Sequence, residues 1–356
     1  MSNRGELIIF ANDSGRYFGE RITNRLGIYL GDSKDVAFAN TEVISYSNSH
    51  VAEKDVYIVQ CVQDWTSERS VNDNFMYTAS LAGATSKAGA SHVTVVFPYL
   101  PYERQDFRYK PETSEDEHQR EPIAAADSIR MLETVGVDGL ITISAHSRQI
   151  EGFPLNPKFR FVDLSYRPII CNYIFENHRH IIDDSTSIGS PDPGGSSRAK
   201  AYARIFGDLR GDEPLPVVIG DKERQHTGEV NVVKNTELIG TVSKKILIVD
   251  DMVDTAGSLE KFVEKCRNYG AEEVYVACTH AILGGKAKER LNALYNNGSG
   301  ILKKVFASDS VYHGDNFAED NPWFEEVSVA PMFADSIRTN NEGGSISEMM
   351  KKWLEC

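Results

Sequence analysis

The sequence contains no apolar run that reaches the ~18 residues of a membrane span. It is also poor in cysteine. The five present (Cys61, Cys171, Cys266, Cys278 and Cys356) are odd in number and none has CxxC spacing. That disfavours a disulfide framework and leaves free thiols in a reducing compartment as the expectation. Positive charge is scarce as well: 38 Lys and Arg stand against 52 Asp and Glu, a net charge of −14. A nucleic-acid binder needs a broad basic field, so that class is disfavoured, whereas a small phosphorylated ligand needs only a few local donors. The opening residues Met1–Glu6 lack the apolar stretch of a secretory signal. The expectation is a soluble, cytoplasmic protein without membrane or nucleic-acid partners.

What is present is a recurring unit. At 356 residues the chain points to two domains. Three times a helical pattern ends at glycine and a β-branched run follows: Gly89 before Val93–Val96, Gly136 before Leu140–Ile143, Gly270 before Val274–Ala277. Glycine just past a helix is the expected left-handed cap. The runs are apolar throughout, as strands of a parallel sheet covered on both faces should be. Further strands are expected at Glu6–Phe10, Val56–Gln60, Pro216–Ile219 and Ile246–Val249. Leu259, Phe262, Val263 and Cys266 form one helical stripe. Strands alternating with helices give an α/β class, and Pro154-Leu155-Asn156-Pro157 marks a junction. Lys110–Arg120, Ser190–Ser197 and Asp221–Asn231 read as loops.

The most specific segment runs from Ile246 to Leu259, ILIVDDMVDTAGSL. A buried strand ends in Asp250 and Asp251, and Asp254-Thr255-Ala256-Gly257-Ser258 then opens a helix. The carboxyl end of a parallel strand is where α/β proteins place ligands. The 254–258 loop can turn backbone N–H groups toward a phosphate, and the helix N-terminus adds positive potential. Asp250 and Asp251 suit the diol of a sugar, directly or through hydrated Mg²⁺. The Walker pattern GxxxxGK[ST] is absent.

This segment resembles the phosphoribosyl-diphosphate binding motif of type I phosphoribosyltransferases, which by itself leaves transferases and synthetases open. Other segments narrow the choice. In chain order they are Phe38-Ala39-Asn40-Thr41-Glu42, Asn72-Asp73-Asn74, Pro98–Asp106 with Arg104-Gln105, His146–Phe153, Ser190–Gly195 and Asp221–Arg224. Together they resemble the ribose-phosphate diphosphokinase family, the phosphoribosyl diphosphate synthetases, from about Leu7 to Met349.

The resemblance implies two tandem phosphoribosyltransferase-like domains, 1–156 on the ATP side and 157–340 on the ribose 5-phosphate side, with a tail from 341 to 356. It implies that the diphosphoryl group of ATP passes to the 1-hydroxyl of ribose 5-phosphate. By the same resemblance Asp250, Asp251, Asp254, Thr255, Ala256, Gly257 and Ser258 hold ribose 5-phosphate. Arg104, Gln105 and His146 hold ATP, and Phe38, Asn40 and Glu42 read adenine across a subunit boundary, so a homo-oligomer is expected. His146 and Asp192 serve Mg²⁺, while Lys222, Arg224 and His146 act on the transferring group. Ser144 stands where most members carry Asp, and the stretch from Asp106 to Arg120 is longer than usual and acidic. A catalytically silent regulatory relative and a salvage phosphoribosyltransferase are the competing readings.

Overall fold

The computed structural model describes residues 4–108, 120–220 and 238–355. They form two compact units. Residues up to Ser165, with Asp309–Gly314 and Ser328–Glu355, make the first; Tyr166–Ser308 and Asp315–Val327 make the second.

The first unit runs β1 (Leu7–Ala11), α1 (Arg16–Leu26), β2 (Ser33–Ala37), β3 (Val43–Ser47), β4 (Asp55–Val59), α2 (Val71–Lys87), β5 (His92–Val96), α3 (Ala124–Thr134), β6 (Gly139–Ile143) and β7 (Arg160–Leu164). Its five-stranded sheet has the order β1-β4-β5-β6-β7, every pair parallel. Strands β4 and β6 are buried at every residue, which explains their unbroken apolar runs. Phe10, Ile58, Leu81, Val95 and Leu140 share one core. Strands β2 and β3 form a separate antiparallel hairpin. Ser70 opens α2 through a capping box with Asp73.

The second unit runs α4 (Arg167–Asn177), β8 (Thr186–Ser190), α5 (Ser196–Arg210), β9 (Val217–Gly220), β10 (Leu238–Gly240), β11 (Lys245–Val253), α6 (Gly257–Asn268), β12 (Glu273–Ala281), α7 (Ala287–Tyr295), β13 (Leu302–Ala307), α8 (Phe317–Asp320) and β14 (Phe324–Glu326). Its sheet has the order β10-β9-β8-β11-β12-β13-β14, and only edge strand β10 is antiparallel. The predicted stripe Leu259, Phe262, Val263 and Cys266 is buried on α6. The expected caps Gly89, Gly136 and Gly270 lie at φ 90, 101 and 99. Both units are thus mostly parallel sheets flanked by helices, the α/β class expected.

The division between units differs from a cut at residue 156. Strand β7 lies beyond that point, yet pairs with β6 from Gly139↔Arg160 to Ile143↔Leu164. The two prolines therefore punctuate a crossover within one sheet. The segment after Ser328 belongs to the first unit, where α9 (Ala330–Asn341) packs on α1 and α10 (Ile346–Glu355) packs on α9. The Asn340 amide donates to the Tyr57 hydroxyl at 2.8 Å and the Asn341 amide to Asp55 at 2.9 Å.

Gly189 on β8 shows how tightly the second unit is packed. A Cβ there would lie 2.9 Å from Ile246 Cγ2 and 3.0 Å from Phe262 Cε1, both on buried side chains. Gly189→Ala is expected to cost about 1–3 kcal/mol by overpacking, read as a lower denaturant midpoint with unchanged m-value. An unshifted midpoint would show that the two side chains yield freely.

Candidate active site

In the second sheet the chain leaves β8 toward β9 on one side and leaves β11 toward β12 on the other, although β8 and β11 are parallel neighbours. A reversal of strand order opens a crevice at the carboxyl ends of the two strands, the usual ligand position in an open α/β sheet. Two predicted segments flank this point. Asp192 follows β8, and Asp250 and Asp251 follow the unbroken buried run Ile246–Val249 of β11.

The two carboxylates are only partly open, with side-chain exposures of 29% for Asp250 and 9% for Asp251. The Asp251 N–H donates to Asp250 Oδ1 at 2.9 Å, and the Met252 N–H to Asp251 Oδ1 at 3.0 Å. Burial, reinforced by the neighbouring Asp251 charge, pushes the Asp250 carboxyl well above the ordinary carboxylate range, while Arg198 opposes the shift. Arg198 Nη1 lies 2.6 Å from Asp250 Oδ1 and its Nη2 lies 3.4 Å from Asp251 Oδ1. The motif reading assigned Arg198 no role, because it lies 52 residues from Asp250 in sequence.

The loop from Asp254 to Ser258 is shaped by its own backbone. Ala256 is left-handed at φ 58 directly before α6 begins, a conformation that costs a non-glycine residue about a kilocalorie or more. Such a residue before a helix builds a concave run of N–H groups suited to an anion, and the first N–H groups of a helix have no intrahelical partner. Arg290 from α7 steadies the loop, donating from Nη1 to the Thr255 carbonyl at 2.6 Å and pairing with Glu260 at 3.0 Å. A Cβ on Gly257 would sit 3.4 Å from that guanidinium, and one on Gly284 would sit 2.8 Å from Asp254 Oδ1. Thr255 and Ser258 are exposed. Arg290 too escaped the motif reading, since no local pattern ties it to the loop.

The remaining candidates lie in the first unit. Arg104 and Gln105 are exposed on the turn after β5, with Tyr102 left-handed at φ 64 just before them. His146 is exposed after β6, following the left-handed Ser144 at φ 54. The two loops are fastened together. Buried Glu103 accepts the His146 backbone N–H at 3.0 Å, and the Gln149 amide donates to Asp106 Oδ2 at 2.8 Å. Asp163 on β7 accepts the Ala145 N–H at 3.0 Å. Arg104, Gln105 and His146 are therefore carried on neighbouring strand ends, whose loops are held by three acids, Glu103, Asp106 and Asp163, to which the motifs assign no role.

Phe38, Asn40 and Glu42 occupy the turn of the β2–β3 hairpin. The Phe38 N–H donates to the Glu42 carbonyl at 2.8 Å, and Thr41 turns the chain at φ 72. Phe38 is 47% exposed. With Thr41, Glu42, Asp73 and Met76 it lines a recess of about 370 Å³. Lys222 and Arg224 lie outside the described residues, as does nearly all of the acidic stretch, residues 109–119.

Among the described residues, no group of three or more His, Cys, Asp or Glu side chains is placed to hold a metal ion. Mg²⁺ does not need such a cage, because it keeps several waters and binds through one or two carboxylates with substrate phosphates. Asp192 fits that donor set: it presents hard oxygens beside the crevice, with Oδ1 accepting the Gly195 N–H at 3.3 Å.

Comparison with known proteins joins the two halves of this description. Residues 7–136 match the model of the N-terminal domain of ribose phosphate pyrophosphokinase, and residues 173–304 match the phosphoribosyl transferase domain. The chain is 32% identical to a ribose-phosphate pyrophosphokinase of Campylobacter jejuni over 343 residues, 96% of this chain and 98% of that one. It is 33% identical to ribose-phosphate pyrophosphokinase 2 of Schizosaccharomyces pombe over 341 residues, 95% of each. The crystal structure of phosphoribosylpyrophosphate synthetase from Mycobacterium smegmatis shares the fold. It has a TM-score of 0.78 at 24% identity and covers 95% of this chain and 100% of its own.

Proposed function

The chain belongs to the ribose-phosphate pyrophosphokinase family, and on that premise we propose which of its residues do the work. The enzyme transfers the diphosphoryl group of ATP to the 1-hydroxyl of ribose 5-phosphate, giving 5-phosphoribosyl 1-diphosphate and AMP for nucleotide biosynthesis. The observation that carries the site assignment is the crevice between β8 and β11, with paired carboxylates and an anion-binding loop on one strand end. Asp250 and Asp251 accept hydrogen bonds from the ribose hydroxyls. The loop from Asp254 through Thr255, Ala256 and Gly257 to Ser258 receives the 5-phosphate, with Arg290 fixing its shape.

Arg104 and Gln105 bind ATP phosphates, for which a guanidinium fork is well suited. His146 joins them on the adjoining loop. Phe38, Asn40 and Glu42 read adenine. The aromatic face of Phe38 offers stacking area, and a second copy of the chain completes that pocket, so the enzyme works as a homo-oligomer. Asp192 and His146 are the residues that would hold Mg²⁺, which when bound would neutralise charge on the phosphate oxygens. The sugar hydroxyl attacks the β-phosphorus, charge builds on the transferred oxygens and on departing AMP, and Lys222 and Arg224 stabilise it. Cytoplasmic residence accords with four buried free thiols, Cys61, Cys171, Cys266 and Cys278.

The test is phosphorus NMR of purified protein with ATP, ribose 5-phosphate and Mg²⁺. AMP and a sugar 1-diphosphate should appear together. If that mixture gives no AMP, 5-phosphoribosyl 1-diphosphate and a free base are added: release of diphosphate with a nucleotide would mark a transferase, and no turnover in either mixture from folded protein would mark a regulatory relative.

A further inference from the structure

Two carboxylates at one strand end repel each other, and partial burial strengthens that repulsion by lowering the local dielectric. Something must hold Asp250 and Asp251 side by side. The groups that act on Asp250 include Asp251 on its own strand, the Cys278 thiol on β12 and Arg198 from α5. Only Arg198 among them carries positive charge. Its guanidinium reaches both carboxylates, at 2.6 and 3.4 Å, with the Arg198 side chain 27% exposed. The reach is built into the backbone. Arg198 is the third residue of α5, which starts directly after the Asp192 loop. A Cβ on Gly195 would fall 2.1 Å from Ser190 Oγ, so glycine lets the first turn of α5 sit against the end of β8.

We propose that Arg198 is a positioning residue for ribose 5-phosphate: its two-pronged guanidinium holds the Asp250 and Asp251 carboxylates in one acceptor array for the sugar hydroxyls. The inference deepens the sugar-site assignment and rests on it. A planar fork can serve two oxygens at once, whereas an ammonium acts as a point charge and serves one of them well. Without the fork the carboxylates splay apart or share a proton, and either change removes an acceptor from the diol. The effect falls on sugar binding, because ATP is held by residues of the first unit.

The test is the Arg198→Met variant, which keeps an unbranched apolar stem, alongside Arg198→Lys. Ribose 5-phosphate affinity is measured by calorimetry on the holoenzyme, and KM for each substrate by AMP release. For Arg198→Met we expect the ribose 5-phosphate Kd and KM to rise roughly 10–100-fold. KM for ATP should move less than about twofold, and Arg198→Lys should recover part of the loss. Unchanged ribose 5-phosphate affinity in Arg198→Met, while Asp250→Asn weakens it, would overturn the role of Arg198 alone. Tighter binding would overturn it too, by showing that the guanidinium plugs the site. If Asp250→Asn also leaves sugar affinity unchanged, the sugar-site assignment itself has failed. Should Arg198→Met not fold, Arg198→Lys decides: an intermediate rise in ribose 5-phosphate KM supports the proposal, and a wild-type value overturns it.

Discussion

Replacing Lys222 and Arg224 together by alanine is expected to lower kcat by roughly 10³-fold or more, with the thermal midpoint almost unchanged. Phosphoryl and diphosphoryl transfers give a protein little covalent chemistry to perform. Most of the catalysis is positioning and stabilisation of charge on oxygens that become more negative along the reaction. Cations aimed at those oxygens act mainly in the transition state, so their loss lowers kcat and kcat/KM together instead of raising KM alone. A 10³-fold loss corresponds to about 4 kcal/mol, a reasonable sum for two such groups. Steady-state AMP release at saturating substrate is the measurement, with a thermal melt as the fold control. A double variant within about tenfold of wild-type kcat would remove both residues from the chemistry. The expectation rests on the DKER segment at 221–224 within the family pattern, because these residues lie outside the described chain.

Much of the candidate site was legible because its residues are neighbours in sequence. Asp250, Asp251 and the loop to Ser258 occupy nine consecutive positions, and a buried strand followed by a helix is a local pattern. His146 and Arg104 could be placed at strand ends for the same reason. What escaped depends on contacts remote in sequence. Arg198 is 52 residues from Asp250, Glu103 is 43 from His146, and Arg290 is 35 from Thr255. No propensity or period reports such pairs.

The fold shows the same limit. Strand β6 (Gly139–Ile143) is buried at all five residues and announces itself through the mostly apolar run Leu140–Ile143, whereas the hairpin strand Ser33–Ala37 is polar and has no fully buried residue. The short edge strand β14, Phe324–Glu326, is three residues long and has no period to detect. The return of residues 328–355 to the first unit is set by tertiary contacts such as Asn340 with Tyr57, 283 positions apart. A prolyl pair at 154 and 157 marks a turn, but local chemistry does not say whether the turn separates domains or strands of one sheet.

Asp250→Asn is expected to weaken ribose 5-phosphate binding by roughly 10–100-fold, because a charge-assisted hydrogen bond from a sugar hydroxyl is worth about 1.5–3 kcal/mol. The amide keeps the shape of the side chain but loses the charge that Arg198 also uses, so KM for ATP should move little. The raised Asp250 carboxyl supplies a second signature. The acceptor role needs the ionised form, so wild-type affinity for ribose 5-phosphate should fall as pH drops through the raised value, which lies well above the ordinary carboxylate range. The substrate phosphate also titrates, near 6. Asp250→Asn reports that titration alone, and the difference between the two pH profiles isolates the carboxyl.

Stability runs the other way. The folded chain holds this proton at pH values where the unfolded chain has released it, so wild-type stability falls as pH rises from the ordinary to the raised value. Asp250→Asn should flatten that slope while it weakens the sugar site. Matching pH profiles for the two proteins, in binding and in stability alike, would place the titrating group elsewhere. Opposite slopes in wild type, both lost in the variant, would tie the strained carboxylate pair to substrate recognition.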